Sequence, residues 1–199
     1  YDTDRDCKEI PKIFSSLSVL KLFGQKYLRE TSRNAVTANG IDHASGVIVD
    51  RSTTPNKVYV FDTGNNRILG FDGIGYCIND ESKGCNINDE CGSGSCYIDG
   101  SKSADVVFGQ PDFESAACNR DNNFGINKKP TADTLCLIGY PFITNLGEYW
   151  MRANFDVDSQ GNLYIVDVWN NRILKYNQPF SADKSNGNGD TTADFVWGQ

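Results

Sequence analysis

Histidine is almost missing from this 199-residue chain: His43 is the only one. A multi-histidine zinc site is thereby excluded, and general-base catalysis would rest on a single loop residue. His43 therefore reads as a solvated or capping side chain. Methionine is as scarce, with Met151 alone, and the first residue is Tyr1. The chain accordingly reads as a section of a longer protein rather than an intact translation product. Cys-x-x-Cys-His does not occur, which excludes covalent c-type haem, and no Asn-x-Ser/Thr triplet encodes N-glycosylation. No apolar run approaches the ~20 residues of a membrane span. No long stretch carries a 3.6-residue apolar period, so a helical solenoid is excluded as well. Basic residues number 19 against 26 acidic ones, a net charge of −7. Attraction to a phosphate backbone is then unfavourable, which argues against nucleic acid as a partner.

Repetition is what the sequence has instead. Val58-Tyr59-Val60-Phe61-Asp62-Thr63-Gly64-Asn65-Asn66-Arg67-Ile68-Leu69 returns as Leu163-Tyr164-Ile165-Val166-Asp167-Val168-Trp169-Asn170-Asn171-Arg172-Ile173-Leu174. A second landmark occurs three times, as Leu22-Phe23-Gly24-Gln25, Val107-Phe108-Gly109-Gln110 and Val196-Trp197-Gly198-Gln199. Its glycines are 85 and 89 residues apart, longer than the ~40–50 residues of a propeller blade. The distance from Gly24 to Asp62 is 38 residues and from Gly109 to Asp167 it is 58, whereas Asp62 to Gly109 is 47 and Asp167 to Gly198 is 31. Each period therefore holds one insertion, at a different place. Three segments follow: 1–19, a leading piece; 20–110, a first period with a Cys-rich insertion at 74–103; and 111–199, a second with an insertion at about 114–150.

Each period reads as four short antiparallel strands. Residues 46–50 and 154–158 are short β-rich runs ending in turn formers, followed by strands at 58–61 and 163–166. The Asp-x-x-Asn-Asn step makes a tight turn, because Asp and Asn side chains bond nearby backbone and Asn tolerates positive φ. Strands starting at Arg67 and Arg172 come next, and residues 104–108 and 193–197 supply the last. Cysteine follows the insertions: Cys77, Cys85, Cys91 and Cys96 lie in the first, Cys118 and Cys136 in the second, and Cys7 outside both. Four cysteines stapling one loop allow three connectivities, and Cys7 is either free or paired outside the chain. Zinc is the competing reading, but the first cluster's spacings are longer than the Cys-x2–4-Cys pairs of structural zinc sites, Cys91-x4-Cys96 aside. Disulfides place the chain in an oxidising compartment.

The pattern Leu163-Tyr164-Ile165-Val166-Asp167 followed by Asn170-Asn171-Arg172-Ile173-Leu174 resembles the NHL repeat of β-propellers. Residues 104–113, with Gly109-Gln110-Pro111-Asp112-Phe113, are similar to a longer variant found in bacterial extracellular proteins. The resemblance covers about residues 20–199. In the first unit the longer stretch from Asp50 to Lys57 replaces Asp158-x-x-Gly161-Asn162. The resemblance implies an all-β fold: propeller blades of four antiparallel strands, in an incomplete ring because rings take about 4–8 blades, with disulfide-stapled loop insertions. It implies an extracellular or cell-surface location, with missing blades supplied by the same or neighbouring chains.

The repeated Asp62, Asn66, Arg67, Asp167, Asn171 and Arg172 read as scaffold, since a group present in every unit serves the framework. Trp169, in a turn where the first unit has Gly64, is the expected contact residue, whereas Trp197 occupies the Phe108 position and is expected in the core. Asp2, Asp4 and Asp6 alternate as in the start of a calcium loop, although an EF-hand's later glycine and glutamate positions hold Cys7 and Ile13. Apart from calcium there, no cofactor is expected. The functional expectation is a non-enzymatic binding or assembly module acting on protein partners or on copies of itself. The alternative is a propeller enzyme of lyase or lactonase type whose metal lies mostly on other blades.

Overall fold

The computed structural model describes residues 35–98, 102–121, 128–137 and 154–198, which form eleven strands and no α-helix. In chain order these are β1 (Ala44–Asp50), β2 (Lys57–Asp62), β3 (Arg67–Phe71), β4 (Gly75–Cys77), β5 (Asp80–Cys85), β6 (Cys96–Tyr97), β7 (Val106–Phe108), β8 (Phe155–Val157), β9 (Leu163–Asp167), β10 (Arg172–Tyr176) and β11 (Phe195–Trp197). One antiparallel sheet runs β1-β2-β3-β7, and a second, β8-β9-β10-β11, has the same order. A small third sheet, β5-β4-β6, lies within the first insertion.

The two repeated segments are the same hairpin. Val58 faces Phe71 and Asp62 faces Arg67 across β2 and β3, just as Leu163 faces Tyr176 and Asp167 faces Arg172 across β9 and β10. Each hairpin turns through a single 3-10 turn, Thr63–Asn65 or Val168–Asn170. The turn closes on a left-handed asparagine, Asn66 at φ 50° and ψ 44° or Asn171 at φ 52° and ψ 43°. Asparagine takes that conformation at little cost, so the second Asn of the motif is the one the geometry demands. The fourth strands begin two residues later than the sequence suggests. Ala104 N–H donates to Ala38 O at 2.8 Å and Ala193 N–H to Ala132 O at 2.9 Å, so those amides leave the ladder.

Alternation along the strands decides the core, because successive side chains point to opposite faces. One face of the first sheet carries Tyr59, Phe61, Ile68 and Phe108; it packs on Leu163, Ile165, Leu174 and Tyr176 of the second. Aromatic contacts fill the seam, with ring centroids 4.9 Å apart for Phe61 and Phe155 and 5.1 Å for Phe108 and Tyr176. The opposite face of the first sheet (Val58, Val60, Leu69, Phe71) packs with Ala104, Ile41, Ile74 and Phe113. Every residue of β3 is therefore buried, whereas β9 alternates buried with half-buried residues and β10 leaves Ile173 exposed. Trp197, expected in the core, is 47% exposed, while its counterpart Phe108 is fully covered by the second sheet. The position is equivalent, but on the second sheet that face is open. The described residues form two stacked sheets and no closed ring.

The first insertion is more than a loop. Disulfides Cys77–Cys91 and Cys85–Cys96 settle the connectivity, and their sulfurs form the small core of the β5-β4-β6 sheet. Cys118–Cys136 staples the second insertion, closing a sequence separation of 18. A closed loop of that size removes about 3 kcal/mol of unfolded-state entropy. Three disulfides are compatible with an extracellular location. Among the described residues no helix is long and apolar enough to cross a membrane. The calcium candidates Asp2, Asp4 and Asp6, together with Cys7 and the first Gly-Gln landmark, lie outside the described residues.

The seam predicts a contrast between adjacent positions of β10. Leu174→Ala, in the seam, lowers unfolding stability by about 2–5 kcal/mol, whereas Ile173→Ala, on the open face, costs about 1 kcal/mol or less in urea titrations. Equal losses would contradict the described stacking.

Candidate functional site

A buried carboxylate sits at the end of each hairpin. Arg67 Nε donates to Asp62 Oδ2 at 2.6 Å, and Arg172 Nε to Asp167 Oδ2 at 2.7 Å. The same oxygens accept the side-chain amides of Asn65 at 2.9 Å and Asn170 at 2.8 Å. The other oxygens accept backbone N–H groups, from Asp42 at 2.6 Å and from Cys136 at 2.8 Å. The Nη2 of each arginine then reaches two main-chain carbonyls, Thr37 and Gly40 for Arg67 and Thr131 and Thr134 for Arg172, at 2.8–2.9 Å, and Arg67 Nη1 also donates to Phe113 O. Burial pushes both carboxyls up, against the opposing pull of the asparagine, backbone and arginine hydrogen bonds.

These bonds expose a repeat that sequence reasoning missed. Thr37-Ala38-Asn39-Gly40-Ile41 and Thr131-Ala132-Asp133-Thr134-Leu135 occupy equivalent places, and the shared Thr-Ala pair was the available signal. Unequal spacing hid it, since Thr37 precedes Asp62 by 25 residues and Thr131 precedes Asp167 by 36. Asn66 extends the first node toward the second insertion, donating to Ala116 O at 3.1 Å and accepting from Leu137 N–H at 2.8 Å. Gln110 of the Gly-Gln landmark donates to Asn66 O at 2.9 Å and Ala117 O at 3.0 Å. All six predicted scaffold residues thus lie in or beside the two nodes.

Trp169, the predicted contact residue, is 36% exposed on its hairpin turn, and its N–H donates to Cys136 O at 3.1 Å. The first unit cannot carry a side chain there, because a Cβ on Gly64 would meet Asp42 Oδ2 at 2.5 Å. Cys136 takes the place of Asp42 in the second unit and opens that room. His43 Nδ1 lies 2.6 Å from Asp42 Oδ1, at the start of β1. The sulfurs of Cys77, Cys85 and Cys91 lie within 4.8 Å of one another, but all three are bonded in disulfides and offer no thiolate. A cleft of about 120 Å³ opens at one end of the seam, lined by Asp50, Lys57, Tyr59, Gln160 and Phe180 among others. That is well below the ~300–1,000 Å³ of small-molecule sites, whereas a more open hollow beside it, lined by Asp50, Arg51, Val157 and Asp158 among others, holds about 330 Å³.

Comparison with family models, with curated proteins and with solved structures returns no match. Site chemistry must therefore come from the residues themselves. The nodes are duplicated, inward-facing and saturated with protein partners. The cystine sheet is neither duplicated nor closed over: Ile78 is 60% exposed, Ile87 57% and Tyr97 45%. A charged anchor ties it down, with Lys102 Nζ 2.8 Å from Asp72 Oδ1 and 3.1 Å from Asp105 Oδ2, while Gly84 N–H donates to Asp72 at 3.0 Å. Burial opposes the charge on Lys102, yet its hydrogen bond to Asp72 and the nearby Asp105 raise its pKa above the ordinary 10.5.

Two outcomes test these assignments. Removing one partner of a buried ion pair leaves an uncompensated charge, so Arg67→Met lowers stability by about 3–5 kcal/mol in chemical denaturation. Lys102, with a raised folded pKa, contributes stability that is fully present below pH 10.5 and lost as pH rises past its raised value. The melting temperature of the wild type thus exceeds that of Lys102→Met at neutral pH, and the gap closes at strongly alkaline pH. A gap that persists there would refute the role of this charge.

Proposed function

We propose that the chain is a non-enzymatic extracellular binding and assembly module, a section of an NHL-like β-propeller that recognises a protein partner through its disulfide-stapled excursions. One observation carries this reading. The elements that recur serve only the framework, whereas the cystine sheet recurs nowhere and presents Ile78, Ile87 and Tyr97 to solvent. Apolar residues held outward on a cross-linked platform lose little conformational entropy on binding, which favours recognition by a preorganised surface. The sequence resemblance supports the propeller reading, and the equivalent hairpins and nodes are consistent with it. The acidic balance and the paired cysteines support protein partners in an oxidising setting.

Photo-crosslinking in the source organism tests the reading. A benzophenone amino acid at Ile87 yields a discrete protein adduct, and the same group at Asp183, on the exposed run leading to β11, yields none. Adducts at both positions or at neither would refute recognition through the excursion. Stoichiometric divalent metal in the native protein, with hydrolytic or lyase activity that a chelator abolishes, would favour the enzyme instead.

A further inference from the structure

One repeated contact is made in the second sheet and left unmade in the first. Strand registers make Asp50 the counterpart of Asp158 and Tyr59 the counterpart of Tyr164. In the second sheet the Tyr164 hydroxyl donates to Asp158 Oδ2 at 3.0 Å. Asp158 also accepts Asn162 Nδ2 at 2.8 Å and the N–H groups of Gln160 and Asn162 at 2.9 and 3.0 Å. In the first sheet the longer stretch from Asp50 to Lys57 replaces the turn from Asp158 to Asn162. Among the described residues Asp50 then accepts one hydrogen bond, from Ser52 N–H at 2.8 Å, and the fully buried Tyr59 hydroxyl makes none. Burial, with the charge of Asp50 adding to it, pushes that hydroxyl well above the ordinary 10, so it keeps its proton and stays a donor. A buried hydroxyl without a partner is costly, and it marks a place where something else is meant to bond.

The unmade contact lies at the cleft that opens at one end of the seam. Asp50, Lys57 and Tyr59 line it from the first sheet, Gln160, Gln178 and Phe180 from the second. A side chain on Gly161, at φ +82°, would intrude here, its Cβ meeting Ser52 Oγ at 2.6 Å and Asp50 Oδ2 at 3.3 Å. Charge narrows the occupant. Asp50, only 4% exposed, repels an anion, while Lys57 in the cleft and Arg51 in the adjoining hollow oppose a cation. One carboxylate in the cleft also falls short of the 6–8 oxygens of a calcium site. What fits is a neutral group that accepts from Tyr59 and donates to Asp50, and a hydroxyl does both. We propose that the cleft binds a neutral sugar residue, with one hydroxyl bridging Tyr59 and Asp50 and the amides of Gln160 and Gln178 serving its neighbours. The more open hollow shares Asp50 and Ser52 with the cleft, so the sugar is the end of a glycan whose next residue lies there. This site is separate from the excursions and goes beyond recognition through them.

The test titrates the full chain with the methyl glycosides of glucose, galactose, mannose, xylose and N-acetylglucosamine, following the backbone amide resonances of Ser52 and Gly161 by NMR. At least one glycoside shifts both saturably, and a disaccharide ending in that sugar binds severalfold more tightly. Tyr59→Phe weakens binding roughly two- to tenfold, the worth of one hydrogen bond. It leaves the melting temperature of the free chain unlowered, since the hydroxyl has no partner to lose, whereas Tyr164→Phe, which breaks the bond to Asp158, lowers it. No saturable shift with any glycoside overturns the proposal. So does an equal response to calcium chloride or sodium sulfate, or a melting temperature lowered as much by Tyr59→Phe as by Tyr164→Phe. Equal affinity for monosaccharide and disaccharide overturns the glycan end and gives the cleft to a free sugar. None of these readouts involves the cystine sheet, so failure here and failure of crosslinking at Ile87 are separate results.

Discussion

Both sheets depend on one constraint: a carboxylate buried at the end of a hairpin must find hydrogen-bond donors for both of its oxygens. Asp62 and Asp167 meet it in the same way, with the arginine directly opposite on the next strand, an asparagine on the turn, and a backbone N–H from a segment earlier in the chain. Buried ion pairs are weak sources of net stability, because desolvation consumes most of the Coulombic gain. Their strength lies in specificity. A slip of one residue in β2–β3 or β9–β10 would turn the side chains to the opposite face and strand a charge without its partner, so the node and the apolar pattern specify the same register. The arginines also use carbonyls of Thr37, Gly40, Thr131 and Thr134, and through them each hairpin dictates where the preceding segment lies.

Much of this was legible in the sequence because local chemistry governs it. Asp, Asn and Arg recur at fixed spacing within a twelve-residue segment, and turn chemistry at that range leaves few alternatives. Strand order, the two insertions and the grouping of the six described cysteines follow from the same local signals. What was hidden depends on contacts at long sequence separation. The Thr-Ala segments bond to hairpins 25 and 36 residues on, and a variable insertion erases such spacing from any periodic reading. The cystine pairing could not be chosen among three connectivities without knowing that β4 runs between β5 and β6. Trp197 was misplaced for a related reason: its strand position is that of Phe108, but burial belongs to the neighbouring sheet and not to the strand.

The division between repeated and unrepeated parts is a physical one. The node carboxylates and arginines are engaged by protein partners, so they hold geometry. Variation is confined to places where the ladder is already interrupted. The first excursion departs after β3 and the sheet resumes at β7 without loss of order. The second is stitched to both nodes, through Asn66 and through the reciprocal pair of Asn119 and Asn170 at 2.8–3.0 Å.

The two nodes differ in one respect with consequences for the whole module. Asp42 supplies the backbone donor in the first, and a cystine half, Cys136, supplies it in the second. Architecture in one sheet is thus written wholly in hydrogen bonds, while in its neighbour it is partly entrusted to a sulfur–sulfur bond. Reducing conditions therefore act directly on the donor of the second node, and reach the first only through the contacts of Asn66 with Ala116 and Leu137 on either side of the same cystine.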